Sequence, residues 1–130
     1  MFGVRRALVA DDSSANRVDL GKFLEWMGVK VVLAENGVKA IEIYERDPSF
    51  DIVVLGRMNA GMDSFTVAKL IRQFQVAKRP CIVGVGDLND FSERTLKAGM
   101  DTFMVYPKPP EIRKEVTTKQ NVLAFIKGGV

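Results

Sequence analysis

The chain has no histidine and a single cysteine among its 130 residues. A Cys/His catalytic pair is therefore excluded, and so is an internal disulfide. The lone thiol, Cys81, stands inside the apolar run Cys81-Ile82-Val83 and reads as a small buried hydrophobe rather than a nucleophile. Long apolar runs are also missing: none approaches the roughly 20 residues needed to span a bilayer. The apolar segment at residues 7–10 is too short for the core of a secretory signal. No membrane association is expected, and the location expected is cytoplasmic. Charge of one sign is scarce in any one place. The formal net charge is only +3, and basic residues are scattered among acidic ones, which does not indicate nucleic-acid binding. The short basic cluster Arg113, Lys114 and Lys119 reads as a solvated helix face.

What is present is a globular composition, 47% apolar and 27% charged. A chain of this length fits one domain, taken here as residues 1–130, and buries about two-thirds of its unfolded surface. Neither a linker nor an internal repeat is evident. Short β-type runs alternate with longer helical ones, the pattern of a parallel sheet with crossover helices. Strands are expected at residues 4–10, 29–33, 51–55, 81–85 and 102–106. The first helix, capped by Ser13 or Ser14, places Val18, Leu20, Phe23, Leu24 and Met27 at helical spacing and stops at Gly28. The second, after Asn36-Gly37, is read with Val38, Ile41, Ile43 and Tyr44 on its inner face, and Pro48 closes it. Asp63 is a candidate N-cap for a third helix through Phe65, Val67, Leu70, Ile71 and Phe74. A short helix is expected at residues 90–98, stopped by Gly99, and a terminal one from about Pro110 and Glu111. Met58, Met62, Met100 and Met104 read as packing and loop residues.

In an open doubly wound sheet the ligand site lies outside the carboxyl ends of the strands. The loops after the first, third, fourth and fifth strands therefore matter most. Directly after the first stands Asp11-Asp12, two adjacent carboxylates whose mutual repulsion a cation or a set of donors must offset. The plain reading of this pair is a cap for the following helix.

The segment Val9-Ala10-Asp11-Asp12-Ser13-Ser14-Ala15-Asn16-Arg17 resembles a receiver domain of two-component signalling. So do Ala34-Glu35-Asn36-Gly37 and Asp51-Ile52-Val53-Val54-Leu55 with Met58, Gly61, Met62 and Asp63. The Asn16-Arg17 and Asn36-Gly37 pairs are most similar to receivers of hybrid histidine kinases. The resemblance implies a flavodoxin-like α/β fold, a five-stranded parallel sheet in the order 2-1-3-4-5 with helices on both faces. In that family a metal ion, held by the acidic pair and by an aspartate after the third strand, lets a phosphoryl group pass to that aspartate. The acidic pair carries over to Asp11 and Asp12, but the acceptor position falls on Gly56, which has no oxygen with which to attack or coordinate. The family's Ser or Thr after the fourth strand is replaced by Val85, and its Lys before proline by Tyr106. Phe103 occupies the aromatic switch position, and without the hydroxyl its rotamer is expected to be fixed by packing. The Tyr106-Pro107 bond is a candidate cis peptide.

Acceptor, hydroxyl and ammonium are all replaced, so the resemblance implies a pseudo-receiver, not an enzyme, that acts as a phosphorylation-independent interaction module. Its expected partners are a histidine kinase, a phosphotransfer protein or a second copy of itself, met through helix four, strand five and helix five. At the acidic pair two arrangements stay open. Magnesium could be held weakly by Asp11, Asp12 and a carbonyl near Arg57 or Met58, or Arg57 could sit over the pair in place of the cation. Lys108 compensates the lost ammonium only in a shifted register. Two rival functions are a receiver phosphorylated at Asp63 or Asp87, and a nucleotide or flavin site on the turn Gly84-Val85-Gly86-Asp87-Leu88-Asn89, which lacks the third glycine of the dinucleotide fingerprint.

Overall fold

The computed structural model describes residues 5–58, 61–87 and 92–106. Their elements run β1 (Arg6–Ala10), α1 (Ser14–Trp26), β2 (Lys30–Ala34), α2 (Gly37–Arg46), β3 (Ile52–Leu55), α3 (Ser64–Gln73), β4 (Cys81–Gly86), α4 (Glu93–Lys97) and β5 (Thr102–Val105). All strand pairs are parallel, in the order β2-β1-β3-β4-β5. The expected terminal helix, Lys108 and the Tyr106-Pro107 bond lie outside the described residues.

The central strands β3 and β4 are buried along their whole length, as helices on both faces require. Alternate residues then feed two separate cores. On one face Leu8, Val53, Leu55 and Ile82 meet Ala40, Tyr44, Val67 and Ile71 of α2 and α3. On the other, Val9, Val54, Val83 and Val85 meet Leu20, Phe23 and Leu24 of α1. Of the four methionines read as packing and loop residues, Met58 and Met100 are buried in the first core; Met62 packs against that core and Met104 against the second. Cys81 is buried, and desolvation pushes its thiol up to about 11, so it is not a nucleophile at neutral pH.

Helix starts follow the expected caps. The Ser13 hydroxyl accepts the Asn16 amide, Asn36 accepts that of Lys39, and Asp63 accepts that of Thr66. Gly28 and Gly99 close α1 and α4 at φ of 87° and 95°, conformations open to glycine at little cost. Two residues depart from the expected inner faces: Val18 is 42% exposed and Val38 is 50% exposed. Each stands two positions before a buried residue, Leu20 and Ala40, and two steps of about 100° turn a side chain to the far side of the helix. The α4 helix starts at Glu93, three residues after the expected position, with Ser92 and Thr95 forming a reciprocal capping box. Gly84, Val85 and Gly86 belong to β4, not to the turn expected of a nucleotide-binding loop. A Cβ on Gly84 would lie 2.6 Å from the Met100 sulfur, so the missing side chain is space that the core uses.

Candidate functional site

The carboxyl ends of β1, β3 and β5 converge on one carboxylate. Asp11, immediately after β1, is fully buried. Its Oδ1 accepts the Ser13 amide at 2.8 Å, and its Oδ2 accepts the Tyr106 hydroxyl at 2.5 Å. Its carbonyl accepts Arg17 Nη1 at 2.8 Å. The carboxylate thus has a donor on each oxygen, as a buried charge requires. Asp12 is exposed, and its amide donates to the Arg57 carbonyl at 2.9 Å, which joins the β1 and β3 loops.

Gly56 directly follows β3 and donates to the Ala10 carbonyl at 2.8 Å. Space, not backbone conformation, demands glycine there, since its φ is not positive. A Cβ would stand 2.0 Å from Asp11 Oδ2 and 2.9 Å from the Tyr106 oxygen. The volume beside the backbone of residue 56 is thus filled from across the sheet. Tyr106, one residue past β5, reaches it with a long side chain, and its hydroxyl also accepts the Arg57 amide at 2.9 Å. Burial raises the tyrosine pKa above its usual value and the bond to Asp11 raises it further, so the hydroxyl keeps its proton and remains a donor.

Beside this contact a cleft of about 400 Å³ opens between the ends of β3 and β4, α3 and α4. Gly56, Arg57, Val85, Met100 and Phe103 contribute to its walls. Val85 is 4% exposed and brings only methyl groups to the place expected of a hydroxyl. The Phe103 ring lies against Gly84, where a Cβ would stand 3.2 Å from it. The Arg57 guanidinium pairs with Asp87 across the mouth. Asp63 caps α3 and pairs with Arg94, and the cap bond to Thr66 holds its carboxyl below the usual range.

The structure therefore brings Asp11, Gly56 and Tyr106 into direct contact, ties Asp12 to Arg57 through the backbone, and sets Val85 and Phe103 on the adjoining cleft. Among the described residues, no three or more His, Cys, Asp or Glu are grouped so as to hold a metal ion. The Tyr106 to Asp11 bond was not anticipated from the sequence. Its signal was a paired change of size, glycine where a carboxylate is expected and an aromatic where an ammonium is expected, legible only when positions 56 and 106 are read together.

A family model described as the response regulator receiver domain matches residues 7–117. The sensor histidine kinase GacS of Pseudomonas protegens is 29% identical over 129 residues, covering 95% of this chain and 14% of that protein. The hybrid signal transduction histidine kinase A of Dictyostelium discoideum is 31% identical over 108 residues, covering 79% of this chain and 5% of that protein. A cyclic di-GMP phosphodiesterase of Thermotoga maritima is 33% identical over 104 residues, 77% of this chain and 26% of that one. The chain thus spans about a quarter or less of these relatives. In structure it is similar to a CheY-like receiver domain from Methylobacillus flagellatus, with a TM-score of 0.79 at 18% identity over 95% of this chain and 99% of that one. The chemotaxis protein CheY4 of Vibrio cholerae gives 0.75 at 22% identity, over 92% and 99% of the two chains. No helix among the described residues is long and apolar enough to cross a membrane. With the strand order, the acidic pair at the end of β1 and the family match in agreement, the chain belongs to the response regulator receiver domains of two-component signalling.

Proposed function

We propose that this receiver works without phosphorylation, as a module that binds another protein of a two-component pathway in one fixed state. One observation supports this above the others: the place of the acceptor carboxylate is occupied by the Asp11 and Tyr106 oxygens, with Gly56 at its base. A phosphoryl group needs an attacking oxygen, a compensating cation and room for three peripheral oxygens. Here the first is replaced by hydrogen, and the volume that its side chain would need is filled. The domain is accordingly read as a non-enzymatic one.

The binding face proposed comprises α4, β5 and the chain that follows. Leu96 on α4 is 56% exposed and Val105 on β5 is 42% exposed, apolar groups accompanied by the cations Arg94 and Lys97. A histidine kinase, a phosphotransfer protein or a second copy of the chain are the partner classes this surface is proposed to meet. The test is a pull-down with kinase and phosphotransfer proteins of the host, alongside a solution mass, with and without acetyl phosphate and magnesium. Equal binding under both conditions is expected. A gain in binding on phosphodonor treatment would overturn the reading.

A further inference from the structure

We infer that Tyr106 closes the acidic pocket to divalent cations, its hydroxyl serving as a built-in substitute for both the metal and the acceptor. The phenol oxygen does two things at once. It donates to Asp11 Oδ2 at 2.5 Å, and it accepts the Arg57 amide at 2.9 Å. One neutral group just past β5 thereby ties the end of β1 to the loop after β3, the three places a bound cation and acceptor would otherwise join.

The donor set does not suit a magnesium ion. Magnesium demands near-octahedral oxygens at about 2.0–2.1 Å and commonly uses one or two carboxylates. Asp11 Oδ1 faces the Ser13 amide, and Oδ2 faces the phenol proton at a distance typical of a strong charge-assisted bond. Residue 56 supplies no side-chain oxygen, and a cation beside Oδ2 would have to displace the phenol from the volume it fills. Displacement would also strip the Arg57 amide of its acceptor. The buried charge of Asp11 is already balanced by donors, so a cation offers it little and must break two bonds to enter.

Absence of a partner would overturn only the proposed binding role, and entry of a metal ion only the closed pocket. The test is a titration of the whole chain with Mn²⁺, followed by paramagnetic broadening of amide signals and by the resonance of the hydrogen-bonded Tyr106 hydroxyl proton. In the native protein, amides 11–13 and 56–58 are expected to keep their intensity at millimolar Mn²⁺, with the hydroxyl resonance retained. In Tyr106→Phe, which keeps the ring but frees Asp11 Oδ2, the same amides are expected to broaden, with affinity raised about tenfold or more. Selective broadening there in the native protein, or loss of the hydroxyl signal on adding Mn²⁺, would overturn the inference without need of a variant. So would a folded Tyr106→Phe protein that binds Mn²⁺ no better than the parent.

Discussion

At the scale of single residues, Asp11, Gly56 and Tyr106 form a closed set in which the space left by Gly56 is taken by the bonded oxygens of the other two. Restoring the missing acceptor by Gly56→Asp would drive a side chain into the Asp11 carboxylate. The expected result is a loss of about 1–3 kcal/mol, read from the denaturant midpoint, and no phosphorylation. Relief is expected only when Tyr106→Lys is made together with it. Tyrosine ionisation gives a second check. The chain has two tyrosines, and burial raises both Tyr44 and Tyr106 above the ordinary value of 10.0. A raised folded-state pKa favours the protonated form, so the stability it contributes is complete below about pH 10 and is lost as pH rises toward the folded value. The tyrosinate absorbance of the native protein should rise at higher pH than that of free tyrosine. A normal titration of either tyrosine in the folded state would contradict the assigned contacts. Positions 11, 12, 56 and 106 could be placed from the sequence because each stands just past a recognisable strand, and positions 85 and 103 because each lies within one. The bond between Asp11 and Tyr106 was not, because it joins residues 95 apart and neither side chain announces its reach.

At the scale of elements, the structure depends on caps and on one arginine. Asp63→Ala and Ser13→Ala are each expected to cost about 1 kcal/mol in thermal or chemical unfolding, since each removes the acceptor for a first-turn amide. Arg72 has a wider role: it donates to the Gly99 carbonyl, the Pro80 carbonyl and Asp101. It thereby joins the end of α3 to the starts of β4 and β5. Arg72→Ala is expected to destabilise by at least ~2 kcal/mol, with Asp101 left to Arg79 and the Ile82 amide. A change under about 0.5 kcal/mol would show that this junction is held by packing alone. Caps and strands were readable because they depend on neighbours in sequence: Ser13, Asp63, Gly28 and the unbroken run at 52–55 each state their role locally. Val18 and Val38 are apolar residues close to a helical stripe in sequence but about 200° around the helix from its buried members Leu20 and Ala40, which is why spacing alone does not exclude them. The strand expected at 81–85 runs one residue further, to Gly86, and Met100 and Phe103 fill the space that Gly84 leaves.

At the scale of the whole molecule, the receiver fold is retained, while Gly56, Val85 and Tyr106 stand where the resembled family carries an aspartate, a hydroxyl and an ammonium. In the family mechanism that the sequence resembles, a hydroxyl after the fourth strand follows the phosphoryl group and the aromatic on the fifth responds. Val85 offers no such pull, and Phe103 is seated against Gly84 in the cleft wall. A ligand shifts a two-state equilibrium only by its differential affinity for the states. Under the proposed function no phosphoryl ligand discriminates between them, and the domain is expected to present one surface throughout. The measurement that tests this most directly is intact mass after treatment with acetyl phosphate and magnesium, followed by hydroxylamine. The account expects an unchanged mass at every step. A single phosphoryl adduct that forms under these conditions and is removed by hydroxylamine would contradict it.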